Sequence, residues 1–196
     1  MYSVLPNIIL GFHGCDEAVA EKVLAGQGKL ISSKNKYDWL GNGTYFSENN
    51  PERALDWARE IKGRTESNIK KPAVVGAIIY PGKCLNLTEM NSLSILKAAY
   101  KELKDINEIN DFSMPKNQKV AGSEDLLKRY LDCAVIEMVH SINDMSGLSQ
   151  YDTVRGVFIE GKEIYPEAGI KDKTHIQICV RNSGCIKGYF RVEGKQ

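Results

Sequence analysis

A short stretch rich in glycine and aromatic residues is the part of the chain best suited to hold a flat ring. Gly41 and Gly43 come just before Tyr45, so the backbone can approach a ligand closely beside an aromatic face. Trp57 follows within a segment that reads as a helix, and it can supply a second face. Because cations stack favourably on such faces, this spacing predicts a site for a planar, positively charged ring.

His13 and Gly14 form a second chemically useful group, at the end of an apolar run. A histidine ring offers a donor and an acceptor, and a glycine leaves its backbone N–H and C=O open to a ligand. Each residue alone is more often an ordinary packing residue, and the same holds for Tyr45 and Trp57. Their occurrence in this order along one chain favours a common binding site.

Local signals predict the elements that would position these residues. Asp16 and Asn50 are typical helix N-caps, and Gly26 and Pro81 are typical terminators. The first half is predicted to contain a strand over 7–14, a helix over 16–25, a polar surface loop over 27–42, a short strand at 45–46, a helix over 50–62 and a strand over 73–80. The second half is predicted to contain helices near 91–103 and 123–145, a loop over 105–121, and strands over 153–158, 174–180 and 186–192.

Strands at both ends with helices between them predict an α+β fold, in which an antiparallel or split sheet surrounds the ligand site. The chain has neither an alternating β-α order nor a Gly-x-Gly-x-x-Gly turn after a strand, so a doubly wound dinucleotide fold is not expected. The length of 196 residues predicts a single domain over 1–196, with a helical segment at approximately 88–148.

Composition narrows the function classes. With 26 Lys+Arg against 25 Asp+Glu, the net charge of +1 gives no general attraction to polyanions. The five cysteines are scattered without a Cys-x-x-Cys spacing, which argues against a disulfide framework and against a structural metal site. No leader-like segment or membrane-length apolar run is evident, so we expect a soluble, unanchored protein of the reducing cytoplasm.

Taken in order, the motifs resemble those of ADP-ribosyltransferases of the diphtheria-toxin and poly(ADP-ribose) polymerase type. The matching residues are Phe12-His13-Gly14-Cys15, then Gly43-Thr44-Tyr45-Phe46-Ser47, then the helix that carries Trp57. The resemblance covers roughly 8–82 and 153–192, and the helical segment has no counterpart in it. It implies the split antiparallel sheet of that family, flanking helices, a helical insertion, and NAD as the substrate.

The resemblance also implies roles for individual residues. His13 would bond a ribose hydroxyl of NAD, and the backbone of Gly14 would pair with the nicotinamide carboxamide. Tyr45 and Trp57 would sandwich the nicotinamide ring, with Trp57 standing where the family usually has tyrosine. Two further residues of the motif, Gly43 and Ser47, would complete the NAD site.

The chain departs from the family at the strand that usually carries a catalytic glutamate. Alternation places His175, Gln177 and Cys179 on one face of strand 174–180, and no carboxylate is among them. His175 and Gln177 are therefore the candidates to replace the glutamate at the ribose, and a carboxylate from the preceding loop is the alternative. The loop candidates are Glu160, Glu163 and Glu167. Arg53 also stands where the polymerases have a serine.

These features lead us to expect an NAD-dependent mono-ADP-ribosyltransferase, since the missing glutamate disfavours chain formation. The acceptor would be a macromolecule, either a protein or a nucleic acid, and no metal is expected. A bacterial toxin or phage-defence effector with a cognate antitoxin or inhibitor protein fits this size, and no membrane partner is expected. The alternatives are an NAD glycohydrolase, a module that binds NAD or ADP-ribose without turnover, an RNA 2′-phosphotransferase, and a structural protein.

Overall fold

The computed structural model describes residues 8–64, 67–120 and 123–193. Within these ranges the chain is a mixed α+β fold, as the order of predicted elements indicates. The strands are β1 Ile9–Asp16, β2 Thr44–Glu48, β3 Pro72–Ile79, β4 Cys84–Asn86, β5 Thr153–Phe158, β6 His175–Val180 and β7 Ile186–Arg191. The α-helices are α1 Glu17–Leu24, α2 Pro51–Lys62, α3 Met90–Ile109 and α4 Tyr130–Met145.

The strands form one sheet in the order β4-β5-β6-β2-β1-β3-β7. All neighbours are antiparallel except β4 and β5, which are parallel. The sheet is therefore mixed, and the parallel pair departs from the antiparallel or split sheet that the sequence predicts. The parallel pair arises because α3 and α4 lie in the chain between β4 and β5 and carry it back to the same end of the sheet. The three-residue β4 was not predicted, since so short a strand has no detectable periodicity.

The sheet nearly divides between β1 and β2. These strands share only the pairs Gly11–Glu48 and Phe12–Ser47. By contrast, β1 pairs with β3 along its whole length, and β2 pairs with β6 from Thr44 to Ser47. Two half-sheets are therefore joined by a short ladder and separate beyond it, which opens the centre of the molecule.

Side-chain caps mark the starts of α1 and α2, and both helices pack against β1 and β3. The Asp16 carboxylate accepts from Ala18 N at 3.0 Å, and Asn50 Oδ1 accepts from Arg53 N at 2.8 Å, which confirms both predicted caps. α1 packs on one face of the sheet through an apolar cluster around Phe46. The predicted start of β1 at Asn7 lies outside the described residues.

The long helices α3 and α4 build a second core on β4, β5 and β6. Its buried residues include Leu40, Leu85, Ile136, Val139 and Val154. The predicted 123–145 helix begins only at Tyr130. The described residues before it are irregular, and one isolated antiparallel bridge joins Gln118 to Lys128 there. The helical segment is thus part of the hydrophobic interior.

The described residues contain no α-helix that combines the length and apolar character needed to cross a bilayer. The same residues contain no group of three or more His, Cys, Asp or Glu side chains arranged to hold a metal ion. All five cysteines are buried and free of disulfides.

Candidate functional site

A cavity of about 680 Å³ opens on the sheet beside α2, at the point where β1 and β2 separate. It is lined by eight of the site residues predicted from the sequence: His13, Gly14, Gly43, Tyr45, Ser47, Trp57, His175 and Gln177. Its volume is within the usual range for a small-molecule site. The segment 27–42, predicted as a surface loop, forms part of the wall through Tyr37, Asp38 and Trp39, and it buries Leu40 completely.

The floor of the cavity is one face of the central strands. Cross-strand partners point to the same side of a sheet, and Tyr45 is opposite Cys179 while Ser47 is opposite Gln177. Tyr45, Ser47 and Gln177 therefore share a face. Helix α2 lies on the same side of the sheet and contributes Trp57 to the wall.

The backbone of Gly14 points into the opening between the half-sheets. Leu10 C=O accepts from Asn49 N at 2.9 Å, so alternate residues of β1, including Gly14, direct their main-chain groups toward β2. In a continued ladder the carbonyl of Tyr45 would accept from Gly14 N–H. Instead this carbonyl accepts from His13 Nδ1 at 2.7 Å. The side chain of His13 therefore takes the place of a backbone partner and leaves the Gly14 amide available to a ligand.

His13 has a defined protonation state. A carbonyl oxygen only accepts, so the bond to Tyr45 places the proton on Nδ1. Burial lowers the pKa of His13 below its ordinary value and outweighs the opposing effect of this hydrogen bond. The ring is neutral near pH 7, and its Nε2 lone pair can accept from a hydroxyl group.

Two glycines are required by close packing of the elements that build the cavity. A Cβ on Gly14 would lie 2.1 Å from Ala54 O, so only glycine lets α2 sit this close to β1. A Cβ on Gly43 would lie 2.4 Å from Cys179 Sγ. Close approach of a ligand, which the sequence predicts at these glycines, is thus accompanied by close packing of the protein's own elements.

Tyr45 presents its ring and not its hydroxyl to the cavity. The hydroxyl donates to Gly41 O at 2.6 Å and accepts from Leu40 N at 2.8 Å. Burial raises its pKa far above the ordinary value, so it does not ionise near neutral pH. These bonds hold the ring in one orientation, which suits a stacking role and not proton transfer.

Trp57 is the exposed aromatic residue on the helix side. It is 40% accessible although it is large and apolar, and Tyr37 at the same cavity is 37% accessible. Trp39 is a further aromatic residue that the sequence argument did not assign to the wall, and its Nε1 donates to Leu127 O at 2.8 Å. Its contact depends on a residue of the helical segment, so no local pattern could have indicated it.

A buried ion pair lies at the polar end of the cavity. Glu160 is only 4% exposed and forms a hydrogen-bonded salt bridge with Arg53, which is also buried. Arg53 Nη1 lies 3.5 Å from Glu60 at the rim. Nε and Nη1 of Arg53 have no hydrogen-bond partner among the described residues. No local sequence pattern indicates this pair, because Arg53 and Glu160 are 107 residues apart in the chain.

Of the three loop glutamates, only Glu160 lines the cavity. Glu163 and Glu167 are exposed, and Glu163 accepts from the backbone N of Glu167 at 3.1 Å. A carboxylate from the loop is thus present in the site, although none stands on β6. Glu160 Oε1 lies 3.8 Å from His175 Nδ1.

His175 and Gln177 form a hydrogen-bonded pair at the start of β6. His175 Nδ1 is 2.6 Å from Lys173 O, and His175 Nε2 is 2.8 Å from Gln177 Nε2. The side chain of His175 is fully buried and both its nitrogens are engaged, whereas Gln177 is partly exposed. Gln177 is therefore the residue of this pair that can meet a ligand.

Comparison of the chain with models of known protein families, with curated proteins and with solved structures finds no match. The inference about function therefore depends on the chemistry of the cavity. That cavity combines the aromatic faces of Tyr45 and Trp57 with the backbone amide of Gly14. Its further polar groups are the side chains of His13 and Gln177, which can accept from hydroxyl groups, and the buried carboxylate of Glu160.

Proposed function

We propose that the protein is an NAD-dependent mono-ADP-ribosyltransferase with the split sheet of that family. The observation that carries the proposal is the opening between β1 and β2. It places the amide of Gly14, the neutral ring of His13 and the aromatic faces of Tyr45 and Trp57 around one cavity. These are the groups needed to hold a nicotinamide riboside, whose ring is planar and cationic.

In the proposed complex the nicotinamide ring lies against Tyr45 and Trp57, and its carboxamide pairs with the backbone of Gly14. Gly43 and Ser47 complete the wall, and His13 Nε2 accepts from a ribose hydroxyl. Holding the reactants in this way supplies orientation, and enclosing them limits access of water. The resident residues need no metal for these roles.

The reaction breaks the bond between the nicotinamide nitrogen and the anomeric carbon of ribose. The electron pair goes to the ring nitrogen, which becomes neutral, and positive charge develops on the ribose. Gln177 and the buried carboxylate of Glu160 lie at the polar end of the cavity, where oxygen atoms stabilise such charge. A nucleophile on the acceptor then bonds to the anomeric carbon and releases its proton to solvent.

The absence of a carboxylate on β6 favours NAD glycohydrolysis as a second candidate. Gln177 cannot act as a general base for an acceptor, so water competes for the anomeric carbon wherever the cavity is open. A module that binds NAD or ADP-ribose without turnover uses the same residues. The proposal has three further parts. The acceptor is either a protein or a nucleic acid, and the protein acts in the cytoplasm. It acts there as a toxin, together with a cognate antitoxin or inhibitor protein.

NAD labelled in its adenylate part tests the proposal when it is incubated with the protein and a bacterial lysate. We expect release of nicotinamide and transfer of label to a macromolecule, and the class of acceptor follows from whether protease or nuclease removes the label. Absence of NAD binding, nicotinamide release and label transfer would together contradict the proposal. Nicotinamide release without transfer of label would indicate an NAD glycohydrolase. NAD binding without nicotinamide release would indicate a module that binds NAD without turnover.

Two substitutions of equally exposed aromatic residues sharpen this test. Trp57→Ala removes one face of the cavity and is expected to weaken NAD binding about tenfold, the value of a lost stacking contact. Tyr80→Ala is the matched control, because Tyr80 is 42% exposed, as Trp57 is 40%, and does not line the cavity. Equal NAD affinity of the two variants in calorimetry would argue against the cavity as the NAD site.

A further inference from the structure

The hydrogen bonds at the start of β6 determine which way the amide of Gln177 is turned. Lys173 O can only accept, so the 2.6 Å contact places a proton on His175 Nδ1. In the neutral ring Nε2 then carries a lone pair and no proton. The group 2.8 Å from it must donate, and this group is the NH₂ of Gln177.

Gln177 Oε1 is consequently left without a partner within the pair, on a partly exposed residue that lines the cavity. If the amide were turned by half a rotation, its oxygen would face the Nε2 lone pair, and two acceptors would oppose each other. The buried position of His175 makes such an unpaired contact costly. The hydrogen bond to His175 thus turns Gln177 so that its Oε1, an acceptor, faces the cavity in place of its NH₂ group, a donor.

We propose that His175 is a positioning residue, which holds the Gln177 amide so that Oε1 accepts from a ribose hydroxyl of bound NAD, and that protonation of His175 reverses this arrangement. The NAD part of this inference rests on the proposed function. A protonated ring carries N–H on both nitrogens, so the amide must rotate to offer oxygen to Nε2. The NH₂ group then faces the ribose in place of the acceptor.

The charged and titratable groups around His175 come from α2 and from the loop between β5 and β6. Glu160 follows β5 and lies 3.8 Å away, Arg53 and Glu60 belong to α2, and Lys173 precedes β6. Burial, with a contribution from Arg53, lowers the pKa of His175 below its ordinary value, while the hydrogen bond to Lys173 O and the two glutamates oppose this. The ring is therefore neutral near pH 7 and becomes protonated only on acidification. NAD affinity should be constant at neutral pH and should fall as the pH drops through this lowered pKa.

His13 lies in the same cavity and also has a lowered pKa, so the test must separate the two rings. His175→Gln provides the separation, because its side-chain oxygen can replace Nε2 as the acceptor but does not titrate. We expect this variant to bind NAD within about threefold of the wild type near neutral pH and to lose less affinity near pH 5. The ratio of the two dissociation constants across pH then reports His175 alone. His175→Leu, which lacks an acceptor, should bind about tenfold more weakly even near neutral pH.

The tautomer can be observed without any ligand. The chain has three histidines, so a long-range ¹H–¹⁵N correlation spectrum is simple to assign with the His175→Gln variant. We expect His175 with a protonated Nδ1 and a bare Nε2 near neutral pH. A protonated Nε2 would overturn the inference, and so would an acid loss of NAD affinity that is unchanged in His175→Gln.

Failure of the two proposals is distinguishable in these data. If the folded wild type binds no NAD, the proposed function and the role toward ribose both fall, whatever the spectrum shows. If NAD binds but the tautomer is wrong, the proposed function stands and the role of His175 falls. Circular dichroism confirms that each variant is folded, and the polar His175→Gln keeps the test available if the fully buried position does not tolerate leucine.

Discussion

At the scale of single residues, Tyr45 shows how one side chain can have a structural and a binding function in different atoms. Its hydroxyl bridges Leu40 N and Gly41 O, which belong to the loop that leads into β2. Its ring lines the cavity, where it can contact a ligand. The two functions can therefore be separated by substitution.

Tyr45→Phe should retain NAD affinity within about threefold, because the ring is kept. It should lower the free energy of unfolding by about 1–2 kcal/mol, because Leu40 N loses its partner and Gly41 O keeps only the Cys179 thiol at 3.7 Å. Tyr45→Ala should lose the affinity as well. Calorimetry with NAD and urea denaturation measure the two effects. A large loss of affinity in a stable Tyr45→Phe protein would show that the hydroxyl contacts the ligand.

At the scale of elements, the position of α2 against β1 controls the width of the cavity. Gly14 allows the contact, and Ala54 supplies the carbonyl that a side chain at residue 14 would meet. Trp57 is on the same helix, so any displacement of α2 also moves one face of the proposed ring site. Packing between two elements is thus coupled to ligand binding.

Gly14→Ala should lower the free energy of unfolding by about 1–3 kcal/mol through overpacking and should weaken NAD binding as well. Gly188→Ala is the control, since a Cβ there meets no atom within 4 Å. Urea denaturation and calorimetry again provide the two readouts. Unchanged NAD affinity in a destabilised Gly14→Ala protein would mean that the position of α2 against β1 does not matter to the ligand.

At the scale of the whole molecule, two apolar cores lie on a single sheet. Ile178, in the first core, and Cys179, in the second, are consecutive residues of β6 and point to opposite faces. The α3–α4 pair covers the second core, and its Glu137 also bonds Arg181 and the backbone of Asn42. The helical segment is therefore expected to unfold together with the rest of the chain.

Ile136→Ala removes a fully buried side chain from α4 and should lower the free energy of unfolding by about 2–5 kcal/mol in one cooperative transition. The control Ile109→Ala, at a position that is 82% exposed, should change it by less than about 0.5 kcal/mol. Fluorescence and circular dichroism should report the same midpoint. Separate transitions would show that the helical segment folds on its own.

Sequence patterns alone determined most of the local structure and part of the site. The caps at Asp16 and Asn50, the strand alternation that places His175 and Gln177 on one face, and most element bounds follow from residues close together in the chain. Such features are readable because dihedral preferences, caps and periodicity act over a few residues. The aromatic and glycine spacing indicated the cavity for the same reason.

Tertiary structure decided the features that depend on distant residues. The burial of Glu160 against Arg53, the orientation of Gln177 and the opening between β1 and β2 each join groups from separate elements. The sequence left Glu160 equivalent to two other loop glutamates, since a carboxylate's burial depends on which charge the fold brings to it. Only strand pairing and packing between distant residues determine which glutamate is buried. In this protein they place the Glu160 carboxylate and Gln177 Oε1 at the site.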